Sequence, residues 1–179
     1  MKKIVSILAI TILFVSCKEE KKVQEPAKQE EPKNEFFSVE LDVTCLVKDD
    51  FAVYYTEDNT INFNEQNTYW NSVKGQPETQ KIVFNFKEEI IPTHIRLDFG
   101  INKEQGDVLV EKLKFDFYGK SVEIKGSDFF KYFSPNDLIK SEIDETKGTV
   151  KFLKNPKQFV TPFFYPNQTF LDEIKKITK

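Results

Sequence analysis

From Phe36 onward the chain alternates. Phe37, Val39, Leu41, Val43, Cys45 and Val47 share one parity, and Ser38, Glu40, Asp42, Thr44 and Lys48 the other, with Leu46 as the single apolar exception. A period of two sustained this long predicts a β-strand with one face turned to a core. The pattern recurs at Phe51, Val53 and Tyr55, at Ile82, Phe84 and Phe86, and at Ile95, Leu97 and Phe99. It returns at Leu113, Phe115 and Phe117, then at Val122 and Ile124, and finally at Val150 and Phe152. Between these runs stand Glu57-Asp58-Asn59, Glu88-Glu89 with Pro92, and Gly100, all of them turn or breaker signals. Tyr118-Gly119-Lys120-Ser121 predicts a tight hairpin, with Gly119 supplying the positive φ that such turns require.

Helical signals are few. Ser127 is placed to cap a short helix carrying Phe129, Phe130 and Phe133, which must end before Pro135. Thr169-Phe170-Leu171-Asp172 fits a capping box, and Phe170, Leu171, Ile174 and Ile177 then follow helical spacing. Many short strands separated by turns predict a sandwich or barrel, not a parallel α/β sheet.

The first residues break this picture. Lys2 and Lys3 precede an apolar run from Ile4 to Val15, and small Ser16 follows. The run is shorter than the ~20 apolar residues that span a bilayer as a helix. Charge first, short apolar core and small residue last is the pattern of a cleaved export leader, here residues 1–16. Phe14-Val15-Ser16-Cys17 resembles the lipobox of bacterial lipoproteins, with Phe14 where that family usually has Leu. The resemblance implies that Cys17 is the acylated first residue of the mature protein and that the membrane is reached through this lipid anchor. Lys18-Glu19-Glu20 resembles a signal that sends some lipoproteins to the surface of the outer membrane. The expected address is therefore the outer membrane, facing the periplasm or the exterior.

Residues 17–35 carry the anchor and then charge: Val23 and Ala27 are the only apolar side chains in the 18–35 stretch besides two prolines. Such a segment cannot bury enough surface to offset its ordering entropy, so a disordered tether is predicted. Residues 36–179 then form a single domain, long enough to enclose a core. Its composition is notable for 18 Phe beside one Trp and one Met, which predicts a core built largely of Phe.

Charge narrows the function classes. The formal net charge is −3 and the lysines are interleaved with acids, so there is no electrostatic footprint for nucleic acid. With Cys17 taken by lipid, Cys45 is left alone on an inward strand face, where a thiol behaves as a small hydrophobe. The one histidine, His94, opens a strand, and no Gly-x-Ser-x-Gly elbow accompanies it. Nothing marks a nucleophilic triad or a zinc site, and no cofactor is expected. Calcium needs only oxygens, and Asp49-Asp50, Glu57-Asp58-Asn59 and Asn102-Glu104-Asp107 offer them, though none has EF-hand spacing.

Ile95-Arg96-Leu97-Asp98-Phe99-Gly100, a polar loop, and then Val110 to Phe117 together resemble the central strands of galactose-binding-like jelly rolls, the architecture of discoidin domains and many carbohydrate-binding modules. The likeness runs over residues 36–135 at the level of pattern. It implies an all-β, jelly-roll-like antiparallel β-sandwich with one or two short helices, and a non-catalytic binding role. The best candidate for that role is the polar stretch around Tyr69 and Trp70, flanked by Asn67 and Asn71. Flat rings stack on sugar faces and amides bond hydroxyls. The plainer reading is that Trp70 caps the core and Tyr69 packs beside it. A second aromatic segment, Phe159 to Pro166, reads as an extended wrap over the core or as a partner surface. The functional expectation is a non-enzymatic module for glycan or envelope components. Its rivals are an interaction protein docking on another envelope protein and a glycan-active enzyme whose two carboxylates are hidden among 29 acids.

Overall fold

The computed structural model of the protein describes residues 35–155 and 157–179. The leader 1–16, Cys17 and all but the last residue of the charged tether lie outside the described residues. What is described is an all-β sandwich of two antiparallel sheets with two short helices.

The strands are β1 (Ser38–Cys45), β2 (Asp49–Thr56), β3 (Thr68–Val73), β4 (Gln76–Asn85), β5 (His94–Asp98), β6 (Val108–Phe117), β7 (Lys120–Lys125), β8 (Ser141–Asp144), β9 (Thr149–Phe152) and β10 (Phe163–Phe164). The larger sheet runs β4-β1-β6-β9-β8, with β7 also paired to β6, and the smaller runs β10-β5-β2-β3. The first six strands pass to and fro between the sheets; the next three stay in the larger one.

β1 behaves as its alternation predicts: Val39, Leu41, Val43 and Cys45 are buried, while Glu40, Asp42 and Thr44 are half-buried on the other face. β6 is subtler. Val108 and Val110 are buried on one parity, Leu113 and Phe115 on the other. The strand reconciles them with a β-bulge. Asp42 pairs with Lys112 and the next residue, Val43, with Val110, so Glu111 is an extra residue without a partner on β1. One inserted residue reverses the facing of everything after it, which keeps both apolar sets inward. At the same point β6 changes partner on its other edge, from β9 at Val110 to β7 at Lys112.

The hairpin joining β6 to β7 has two central residues, Tyr118 and Gly119, at φ 50° and 75°. Two successive positive φ values suit the right-handed twist of the arms, and Tyr118 as well as the predicted Gly119 adopts one. The core is the expected Phe cluster: Phe37, Phe51, Phe99, Phe115, Phe129, Phe133, Phe152, Phe164 and Phe170 are all fully enclosed. Edge-to-face packing is common among them, as between Phe115 and Phe170 at 4.8 Å and 74°.

Both helix starts differ from expectation. Helix α1 (Phe129–Tyr132) follows a 3-10 turn over Gly126–Asp128, and no side chain caps it. Ser127 lies inside that turn, its backbone N–H donating to the Gly148 carbonyl at 3.1 Å. Helix α2 (Gln168–Ile177) is capped by Asn167, whose side chain accepts from the Phe170 N–H at 3.3 Å; Thr169 is already within the helix. An Asn two residues upstream of the predicted Thr does the same physical work. Its apolar stripe, Phe170, Ile174 and Ile177, is buried as the spacing predicts.

Candidate functional site

The outer face of the smaller sheet departs from simple alternation. In β2, Phe51, Val53 and Tyr55 point into the core, yet Ala52, Tyr54 and Thr56 on the opposite face are also buried. A half-solvated antiparallel sheet should leave that face wet. Here a layer of aromatic and charged side chains covers it.

Pair register lays the layer out. Across the sheet, Phe163, Asp98, Ala52 and Trp70 form one row, and Arg96, Tyr54 and Thr68 the next. Arg96 sits at the centre. Its Nε and Nη2 donate to the two Asp98 carboxylate oxygens at 2.7 and 2.8 Å. The guanidinium lies 3.9 Å over the Tyr54 ring, with Phe163 at 5.6 Å and Phe63 at 5.8 Å. Such stacking on ring faces is favourable because the ring quadrupole is negative there. Tyr165 contacts Phe63 at 5.7 Å.

Burial pushes the Asp98 carboxyl above its ordinary range, and the Arg96 bonds and charge act against that shift. Burial likewise works against the Arg96 charge, but its bonds to Asp98 outweigh this and hold the guanidinium protonated. The pair is thus a neutral, hydrogen-bonded unit in a largely dry setting.

At one end of this strip stands Trp70. The stretch read as a polar loop is the edge strand β3. An Asn64 side chain, accepting from Gln66 N–H at 2.9 Å and Asn67 N–H at 3.1 Å, closes a 3-10 turn over Glu65–Asn67 and launches the chain into it. Strand alternation then separates the four predicted residues. Tyr69 turns inward, stacking on Tyr55 at 5.9 Å, its hydroxyl accepting from the Lys87 N–H at 3.0 Å. Asn71 shares that parity, and its Nδ2 donates to the Val83 carbonyl of the other sheet at 3.0 Å. Asn67 ends the 3-10 turn, half-buried. Trp70 alone faces outward, 44% exposed, edge-on to Tyr54 at 6.2 Å. Neither the capping role for Trp70 nor a compact Tyr69–Trp70–Asn67–Asn71 patch is what the structure places here.

At the strip's other end Tyr165 is also exposed, beside a shallow groove of about 440 Å³ reaching Pro135 and Leu138. The Phe159–Pro166 segment forms this end, with two of its residues pairing as β10 along β5. Arg96, Tyr54 and Phe63 were not among the sequence candidates, and Tyr165 was one only as part of the Phe159–Pro166 segment. Their one legible signal is that Arg96 and Asp98 share the outward parity of β5.

The acidic loops use their oxygens to hold backbone. Asp49 Oδ1 accepts from the N–H groups of Asp50, Ile101 and Asn102 at 2.8, 2.8 and 2.9 Å, and Oδ2 from Gln105 Nε2 at 2.6 Å. Asp58 accepts from the Thr60 N–H, Asn102 from the Glu104 N–H, and Asp107 from the Lys154 N–H. A carboxylate ringed by N–H donors is already compensated. Among the described residues no group of three or more His, Cys, Asp or Glu is arranged to hold a metal ion. Cys45 is buried, and that burial, with Asp49 nearby, pushes its thiol up to about 11. His94 is half-buried at the head of β5, and burial followed by Lys175 lowers its pKa. Comparison of the chain with protein families, with curated proteins and with solved structures finds no match.

Proposed function

We propose that this protein is a lipid-anchored, non-enzymatic module of the bacterial cell envelope that binds glycan on the outer face of its smaller sheet. The observation that carries the reading is the outward, 44% exposed indole of Trp70 at the end of a continuous aromatic strip. On this face the domain sets the Trp70 ring at the surface, backed by Tyr54 and the Arg96–Asp98 pair. Flat apolar surface flanked by polar groups is what pyranose rings recognise. Arg96 is neutralised by Asp98, so the strip offers no free cation and suits an uncharged sugar chain. The export leader and Cys17 supply the anchoring half of the reading, and the outer membrane is the compartment it implies.

The test is a pull-down on insoluble neutral polysaccharides and a broad glycan array, with wild-type and Trp70→Ala chains matched for folding by circular dichroism. Binding lost in Trp70→Ala supports the reading. No binding across the panel, or binding indifferent to Trp70, refutes it. Membrane co-purification of a protein partner that depends on Tyr165 but not on Trp70 would instead favour the docking alternative. The anchor is checked separately, by mass spectrometry for a diacylglyceryl group on Cys17.

A further inference from the structure

Beyond the groove at Tyr165, a second hollow of about 430 Å³ opens between residues 137–140 on one side and 153–155 with 157–160 on the other. Its volume lies in the range of small-molecule sites. Leu138, Leu153 and Val160 supply apolar lining, Lys140, Lys154 and Lys157 line it as well, and the Lys154 ammonium donates to the Glu104 carbonyl at 3.5 Å. Asp137 is the only acid in the lining. The walls are tied together by the Leu153 N–H, which donates to the Lys140 carbonyl at 2.8 Å, while the Lys154 N–H donates outward to Asp107 at 2.9 Å.

The lining of this hollow concentrates positive charge. Some lysines elsewhere are matched to acids, as in Lys81–Glu40, Lys112–Asp42, Lys151–Glu142 and Lys176–Glu173. Among the described residues, Lys140, Lys154 and Lys157 enter no ion pair. Within the lining three cations stand against one anion, a surplus of two positive charges there, on a chain whose net charge is −3. Like charges gathered at an apolar hollow repel one another unless an anion joins them.

We infer that this hollow binds a phosphate monoester, its dianionic head among Lys140, Lys154 and Lys157 and its organic body on Leu138 and Val160. A monoester near neutral pH carries about two negative charges, which matches the surplus. Lysine serves phosphate as a point charge and does not need a fixed fork geometry. The apolar lining argues for an ester over the free ion. The inference does not rest on the glycan reading, since it uses none of the residues of the Trp70 strip.

The experiment is calorimetric titration of the full chain in dodecyl maltoside micelles with phenyl phosphate, inorganic phosphate and benzenesulfonate, a singly charged analogue. Phenyl phosphate should saturate at one per chain and bind at least fivefold more tightly than either of the others. Lys140→Gln/Lys154→Gln/Lys157→Gln should weaken it at least tenfold. A control with the same charge change, Lys48→Gln/Lys74→Gln/Lys87→Gln, should stay within twofold, and Trp70→Ala should leave it unchanged. Leu138→Ala, at an exposed position that the fold tolerates, should weaken phenyl phosphate but not inorganic phosphate. Doping the micelles with phosphatidic acid identifies the source: competition with phenyl phosphate points to a lipid phosphate, and its absence to a soluble ester. No saturable heat with phenyl phosphate, equal losses in the two triple variants, or equal affinity for benzenesulfonate overturns the inference.

Discussion

Removing the Arg96 guanidinium while keeping its bulk, as in Arg96→Met, isolates the centre of the outer strip. The change strands the Asp98 carboxylate, whose side chain is 8% exposed and whose two bonds to Arg96 are lost together. Breaking a buried pair by deleting one partner costs about 3–5 kcal/mol. Arg96 itself is 19% exposed, so solvent screens part of this, and about 3 kcal/mol at pH 7.5 is the expected loss. The loss has a signature in pH. Asp98 already has a raised pKa in the folded chain, so its protonated form favours the fold, and that contribution falls away as pH rises through the folded value. Without Arg96 the pKa rises further, so acid pH neutralises the carboxyl more readily. There the deficit should shrink to about 1 kcal/mol, the residue being lost stacking on Tyr54. Urea denaturation read by fluorescence of Trp70, the only tryptophan and a neighbour of Tyr54, measures both numbers in one experiment. Asp98→Asn added to Arg96→Met should restore about 2 kcal/mol at pH 7.5. A deficit equal at the two pH values, or no rescue by Asn, refutes the account of Asp98 as a charge held in a dry site.

Asp49→Ala orphans three backbone N–H groups, leaves the Gln105 amide with only its bond to the Phe99 carbonyl, and should cost about 3 kcal/mol, with coupling to Gln105→Ala of about 1–2 kcal/mol in a double-mutant cycle; additive losses would disprove the shared lock. Gly126→Ala would place a Cβ 2.0 Å from the Val110 carbonyl oxygen, so it should lower the melting temperature by 10 °C or more, and a shift under 3 °C would contradict that packing. Cys45, with its thiol pushed up to about 11, should resist an aromatic disulfide reagent at pH 8 in the native chain and react at once in urea; prompt native reaction would show that it is not enclosed.

Where apolar and polar residues alternate along a strand, its sequence announces it, and β1, the later half of β4, β5 and the later half of β6 were legible for that reason. β3 was not. Asn67 to Ser72 is polar on both parities except for its two rings, because Trp70 and Ser72 face outward and Asn71 spends its amide on the other sheet's backbone. β8 and β10 are edge strands of four and two residues, too short to show a period. Of the site, Trp70 was visible as an exception in a polar stretch. The covering of Tyr54 by Arg96, Phe63 and Tyr165 was not, since it joins residues 54, 63, 96 and 165 through tertiary packing. No local spacing encodes such a layer. The helix caps failed in a smaller way: the cap chemistry was right for α2, but the asparagine and the threonine compete for it within two residues.

The unpaired Glu111 has a consequence for how this architecture tolerates change. Because β6 hands its far edge from β9 to β7 at the bulge, the two halves of that strand are separate berths. The β8–β9 arm moors to one and the β7–α2 arm to the other. A lengthened or trimmed arm on either side can slide without dragging its neighbour out of register. Deleting Glu111 itself would merge Val108, Val110, Leu113 and Phe115 into a single unbroken alternation, so a one-residue loss that would scramble an ordinary strand leaves this one with its apolar side still facing home.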